Sequence, residues 1–384
     1  MRALQQALLA EGHEVREVAL VPLLGSSADA GPEVALRAPN AAEAAKQWRW
    51  VPGLPRPLLE LAEYAYSIVA PRMIVRAAAE ARPDFIYERY AFGNVGGVIA
   101  GRRLAVPVVL EVNSPLVDEL TATRGLFFPR LARRLERFVV RRADLVCVVS
   151  EVLRGIMVAG GARQDRVVVI PNGVDAERFR PLDPARRAEV RRRIGLPAEV
   201  DGRVLVLGFS GFVREWHRLD LALACLCSSQ LSTAWLVLVG GGPQAVWLQR
   251  RAKELGISNR VLLLGTRPHG EIPDLLGAFD IALIPGIPPY ASPLKLLEYM
   301  AVGLPVVAPN QENLREVLQD RGNALLFTPG DANALAEALA ELARNEDLRR
   351  QLGSRARATA VDGQRTWRGV ARRVVAEVTP LLSQ

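Results

Sequence analysis

Two sets of short apolar runs punctuate this chain, and between them the spacing of hydrophobic positions lengthens from that of a strand to that of a helix. The first set is Phe85–Tyr87, Val106–Leu110, Leu145–Val149 and Val167–Ile170. The second is Val204–Gly208, Trp235–Val239, Val261–Leu264, Ile281–Ile284, Val306–Val307 and Ala324–Phe327. Strands alternating with helical stretches predict parallel α/β architecture, and two such sets predict two Rossmann-like domains with a ligand cleft between them. The polar stretch Arg180–Arg193 separates the sets and reads as a linker carrying a short helix. At the other end, Leu4, Leu8, Leu9 and His13 read as a first helix, with Glu14-Val15 entering a second strand. A doubly wound domain would place a central strand and a glycine-rich turn before that helix. The pattern therefore predicts an N-terminal domain without its first strand. The favoured reading is a segment upstream of Met1; a remodelled domain is the alternative.

Composition narrows this only in part. The 384 residues suit about two domains. Half the residues are hydrophobic and 23% are charged, as in globular proteins. A net charge of +8 favours anionic partners: nucleotide phosphates, anionic lipid or nucleic acid. No aromatic-interleaved basic strand or zinc spacing supports nucleic acid. No run approaches the roughly 18 apolar residues of a membrane span, and the start lacks a signal-peptide core. Cys147, Cys225 and Cys227 sit among apolar neighbours and read as buried thiols of a reducing, cytoplasmic compartment.

Chemistry concentrates in the stretch Tyr290–Ala308. Ser292 reads as an N-cap and Pro293 as the first residue of a helix that Gly303 ends. On that helix Ser292, Lys295 and Glu298 share one stripe, and Leu294, Leu297 and Ala301 another. A helix N-terminus suits a phosphate, Lys295 adds a full charge, and Glu298 suits ribose hydroxyls. A surface helix with a solvated Lys–Glu pair is the plainer reading. Against it stands the order of the pair, since Lys before Glu is the weaker arrangement. Lysine is also scarce: Lys46, Lys253 and Lys295 are the only three among 49 basic residues.

The segment Ser292-Pro-Leu-Lys-Leu-Leu-Glu-Tyr-Met-Ala301 resembles the nucleotide-sugar-binding signature of retaining glycosyltransferases of family four, the group 1 transferases. Glu298 matches the second Glu of the family's E-x7-E pattern. Tyr290 stands where the first, sugar-contacting Glu falls. Asp144–Ser150 and the interdomain turn Val168–Asp175 carry further matches, the Asn172-Gly173 turn marking a hinge. In Gly208–His217, Arg214 matches a phosphate-binding Arg and His217 stands where Lys is common. Leu238–Pro243, with Gly241, matches a turn near the nucleotide, and Leu264–His269, with Thr266 and Arg267, a loop reading the base. In Pro107–Leu116, Asn113 stands where many relatives have an active-site His; Glu111 and Asn113 are the candidates on the acceptor side. Pro83–Tyr90 resembles another loop facing the cleft.

The resemblance implies a GT-B fold, with an acceptor-side domain at 1–178 completed by a terminal helix at 364–384, and a nucleotide-sugar domain at 179–363. It implies transfer of a sugar, with retention, to the hydroxyl of a sugar, lipid-linked or small-molecule acceptor. The nucleotide sugar is a substrate, no cofactor is expected, and the lack of a D-x-D or His/Cys cluster speaks against a metal-assisted transfer. An epimerase of similar fold and a non-catalytic nucleotide-sugar-binding or partner protein remain as alternatives. Finally, Arg130, Arg133, Arg134, Arg137 and Arg141 run beside Phe127, Phe128, Leu131, Leu135 and Phe138. Such a helix either packs on a sheet with its arginines in water or meets an anionic membrane surface, which would place the protein peripherally at the inner membrane face.

Overall fold

The computed structural model describes residues 2–18, 55–197 and 204–382. It falls into two compact units, the described parts of 1–13, 148–155 and 169–376 in one and of 14–147, 156–168 and 377–384 in the other.

The larger unit is built on six strands: β5 (Leu205–Ser210), β6 (Ala234–Val239), β7 (Val261–Gly265), β8 (Ile281–Leu283), β9 (Val306–Pro309) and β10 (Ala324–Phe327). Their order is β10-β9-β8-β5-β6-β7, with parallel pairing throughout. The earliest strand is central, two follow on one side and three on the other, which is the doubly wound arrangement. These strands are apolar almost without interruption because both faces are covered. Along β5, Val206 enters one buried cluster while Leu205, Leu207 and Phe209 enter the other. Gly208 shares the Val206 face, where a Cβ would lie 1.9 Å from the ring of fully buried Phe279.

Helix Leu294–Val302 follows β8 and buries Leu296, Leu297, Tyr299, Met300, Ala301 and Val302. Gly303 ends it in the left-handed region at φ 82°. Its start departs from the sequence reading: Pro293 is the N-cap, in extended conformation, and Ser292 does not cap. Ser292 is held outside the helix because its carbonyl accepts from Asn172 Nδ2 at 2.8 Å. Leu294, expected in the apolar stripe, is 47% exposed on the first turn. The helix is pinned to β5 by Tyr299, whose hydroxyl accepts the Ser210 N–H at 2.6 Å.

The stretch Arg180–Arg193 is no free linker. Asp183 caps helix Pro184–Arg193 through the Arg186 N–H. Arg191 is buried and donates to the Ala278 carbonyl and to Asp280, which also takes Arg187 and the Val206 N–H. These ion pairs dock the helix beside β5. Helix Arg2–Ala10 buries Leu4, Ala7 and Leu8 but leaves Leu9 half-exposed. The strand expected from Glu14-Val15 is not formed through Val18. Helix Trp367–Leu382 starts where residues 365–367 bridge to Val174 through paired backbone bonds.

The smaller unit carries β1 (Ile86–Arg89), β2 (Val108–Val112), β3 (Leu145–Val148) and β4 (Val167–Val169), adjacent in that order. Strand β2 begins two residues later than its apolar run because Pro107 has no N–H for the ladder. Among the described residues no strand precedes β1. The basic helix Pro129–Arg142 buries Ala132, Val139 and Val140, and from the apolar stripe Phe128 and Leu135 pack half-buried against the cluster of Tyr64, Val117 and Ala132. Phe127, Leu131 and Phe138 remain exposed among the arginines. Buried Glu60, on helix Arg56–Ala81, fixes its approach by accepting the N–H groups of Phe127 and Phe128. Cys147 and Cys225 are buried as expected, whereas Cys227 is exposed.

Two substitutions test this packing. Gly208→Ala forces a methyl group onto Phe279 and should cost about 1–3 kcal/mol by chemical denaturation; unchanged stability would mean the ring is free to move. Tyr299→Phe strands the buried Ser210 N–H and should cost about 1–3 kcal/mol in the same measurement.

Candidate functional site

The direction of winding reverses between β5 and β8, so the connections leaving their carboxyl ends diverge and open a crevice, the usual ligand site of such sheets. The loop after β5 carries Arg214 and His217; the segment after β8 leads to Lys295 and Glu298. Lys295 Nζ lies 3.0 Å from His217 Nε2 and 4.1 Å from the centroid of the Phe209 ring. His217 Nδ1 in turn accepts the Arg214 N–H at 3.2 Å. The Arg214 guanidinium lies over two exposed aromatic faces, 4.9 Å from Phe212 and 4.8 Å from Trp216. Stacking of this kind holds a cation at a surface without spending its hydrogen bonds.

Electrostatics sharpen the picture. Burial pushes the Lys295 ammonium down to about 7, against the pull of Glu298. Burial pushes the Glu298 carboxyl up to about 7, against Lys295 and Arg178. His217 falls to about 3 through burial and the cations Lys295 and Arg214, so its ring is neutral. Three perturbed groups on one crevice, set beside an uncapped helix N-terminus and an arginine stacked on two rings, have the chemistry to receive an anion.

Glycines let the backbone close around it. The turn after β6 packs on the loop after β5: a Cβ on Gly240 would lie 2.1 Å from the Gly211 carbonyl oxygen, and Val213 N–H donates to the Gly241 carbonyl at 2.8 Å. Thr266 Oγ1 lies 2.9 Å from where a Gly241 Cβ would be. Arg214, His217, Gly241, Thr266, Lys295 and Glu298 thus come from the carboxyl ends of neighbouring strands. Arg267 follows Thr266 but turns its Nε onto the Leu264 carbonyl at 3.0 Å.

The loop before Pro293 is shaped by three side-chain donors that the sequence reading did not single out as site residues. Ser150 Oγ donates to the Tyr290 carbonyl at 2.7 Å, Asn313 Nδ2 to that of Ala291 at 2.7 Å, and Asn172 to that of Ser292. The sequence marks Asn172 as a turn residue at a hinge; its second role is fixed by Ser292, more than a hundred positions away. In the smaller unit, at the carboxyl end of β2, Glu111 accepts from Tyr87 Oη at 2.9 Å and from Asn113 Nδ2, so these two acceptor-side candidates are mutually bound. Nearby in the chain, Glu88 is pushed up to about 7 by burial, although Gly97 N–H and Asn94 hydrogen-bond it.

Comparison with known proteins gives this geometry a family. Residues 198–359 match the model "Glycosyl transferases group 1", and residues 1–178 match "Glycosyltransferase Family 4". The D-inositol 3-phosphate glycosyltransferase of Nocardia farcinica is 30% identical over a match covering 72% of this chain and 62% of that protein. The 2-deoxystreptamine glucosyltransferase of Streptomyces kanamyceticus is 28% identical, covering 64% and 63%. The chain thus spans less than two thirds of the length of either relative. Among solved structures, Anabaena HepE in complex with UDP superposes with a TM-score of 0.67 at 22% identity, covering 80% of this chain and 82% of that one. Sucrose-phosphate synthase from Thermosynechococcus elongatus gives 0.66, also at 22% identity, covering 86% and 80%. Two regions that follow one another along the chain thus match the models of the group 1 and family 4 glycosyltransferases, and the fold is the GT-B architecture shared with these structures.

Proposed function

We propose that the protein transfers a sugar from a nucleoside-diphosphate sugar to an acceptor hydroxyl, with retention at the anomeric carbon. The observation that carries this is the meeting of Lys295, His217 and Arg214 beside the uncapped start of helix Leu294–Val302 at the sheet's switch point. Breaking the sugar–diphosphate bond leaves negative charge on the departing phosphate. Arg214, Lys295 and the backbone N–H groups of Ser292 and Leu294 at the helix start neutralise that charge, which is where such enzymes gain most of their rate. Glu298 takes the ribose hydroxyls, and the backbone around Gly241, Thr266 and Arg267 takes the base. The sugar lies toward Tyr290.

On the acceptor side the candidates are Glu111 and Asn113. The named relatives act on inositol phosphate and on 2-deoxystreptamine, which favours a polyhydroxylated small molecule or its lipid-linked form as acceptor. Retention is consistent with front-face attack, in which the leaving phosphate itself takes the acceptor proton and no protein carboxylate need act as nucleophile. An epimerase using the same donor would turn over without acceptor. A non-catalytic binding protein would hold the donor and release nothing.

The exposed Phe127, Leu131 and Phe138 beside Arg130, Arg133, Arg134 and Arg141 support peripheral contact with an anionic membrane, close to a lipid-linked acceptor. Among the described residues, no helix is long and apolar enough to cross a membrane.

Lys295→Ala should weaken binding of the nucleotide sugar by roughly 10- to 100-fold, the loss expected for a charged hydrogen-bond partner. Calorimetric titration with UDP- and GDP-sugars checks this, and unchanged affinity returns the helix to a structural role. Assay of the wild type across cyclitol, sugar and lipid-linked acceptors, with the product anomer read by NMR, tests the reaction; an inverted product refutes retention, and isomerisation without acceptor favours the epimerase. Flotation with anionic vesicles at low salt should carry the protein upward, and failure to float excludes the membrane contact.

A further inference from the structure

The contact between His217 and Lys295 has a proton inventory that the hydrogen bonds determine. A backbone N–H can only donate, so His217 Nδ1, which accepts from Arg214 N–H at 3.2 Å, carries no proton. The neutral ring therefore has its proton on Nε2, and Nε2 faces Lys295 Nζ at 3.0 Å. A hydrogen bond between two nitrogens needs one lone pair. An ammonium has none, so this contact requires Lys295 as the free amine.

We propose that His217 holds Lys295 as a neutral amine in the empty site, and that a nucleoside diphosphate binds with uptake of one proton by Lys295. This rests on the nucleotide reading given above. When the diphosphate arrives, the Nζ lone pair takes a proton from solvent and the Nε2–H···Nζ bond breaks. The ammonium then pairs with phosphate oxygens, and the freed Nε2–H becomes a second, uncharged donor to them. His217 is thus a positioning residue in the empty protein and a phosphate donor in the complex.

The surroundings agree with this assignment. From its own helix Lys295 meets Glu298, itself held toward the neutral acid by burial. From the loop after β5 it meets His217, with Arg214 beyond; Arg178 acts on Glu298. From β5 comes the Phe209 ring, 4.1 Å from Nζ, whose face by itself favours the ammonium and so opposes burial. Gly211 leaves the space: a Cβ there would stand 2.8 Å from Nζ. Burial works toward the amine, pulling the Lys295 ammonium down to about 7. The sign follows: above that pH the empty site must gain a proton to bind, so affinity falls as pH rises.

With three lysines in the chain, the test is direct. Protein labelled with 15N at lysine Nζ should give three resonances, that of Lys295 identified by its loss in Lys295→Arg. In the empty wild type, Lys295 should titrate near pH 7. Saturating UDP or GDP at pH 8 should move Lys295 to the ammonium shift, and nucleotide affinity should fall about tenfold per pH unit above 8. In His217→Gln the amide oxygen accepts from an ammonium, so Lys295 should stay charged at pH 8 without nucleotide. A charged Lys295 in the empty wild type at pH 8, or an unchanged midpoint in His217→Gln, overturns the proposal. Lack of any response to nucleotide, with the empty-site titration as described, counts instead against the nucleotide reading.

Discussion

The reversal of winding between β5 and β8 is the constraint on which the rest depends. Two parallel neighbours whose connections leave in opposite directions cannot have their carboxyl ends covered by the same loop. The gap must be lined by whatever those two connections carry. Here they carry the only lysine in the larger unit's helix-start motif, an arginine stacked on two aromatic rings, and a neutral histidine. The chemistry follows from the strand order: move β8 elsewhere in the sheet and Lys295 no longer meets His217.

That crevice is useful only if its walls stay still. Tyr299 ties the lysine-bearing helix to the end of β5, and Gly208 lets Phe279 pack beneath the same strand. Gly240 and Gly242 bring the next turn onto the backbone of Gly211 and Val213. Ser150, Asn172 and Asn313 hold three carbonyls of the loop that precedes the helix. Most of these supports bind backbone and leave the site's side chains free, which is how a preorganised anion site keeps its donors for a ligand.

What the sequence made legible was local. Apolar runs located every strand among the described residues, and Gly303 marked a helix end because its φ of 82° suits glycine. Lys295 stood out because the chain otherwise uses arginine. The misreadings have one physical source, namely partners distant in the chain. Ser292 failed as an N-cap because Asn172 holds its carbonyl. The charged stretch 180–193 resembled a linker because its arginines find Asp280 some ninety residues later. The basic helix buries Ala132, Val139 and Val140 and leaves Phe127, Leu131 and Phe138 of its stripe exposed, in a geometry set by Glu60, on another helix. His217, which the sequence marks only as standing where Lys is common, meets Lys295 Nζ at 3.0 Å, again a partner far away in the chain.

The site therefore divides its charge between two kinds of group. Arg214 brings the fixed charge of a guanidinium. By the proposal above, Lys295 is a charge the protein can withhold, since burial disfavours its ammonium although Glu298 favours it. An empty site with two permanent cations would repel itself and bind any small anion. One fixed cation suffices to attract a phosphate group, and the second charge is made only when a ligand large enough to reach Lys295 is present. On this account the scarcity of lysine has a functional meaning at position 295: arginine would fill the space with a charge that His217 has no means to remove.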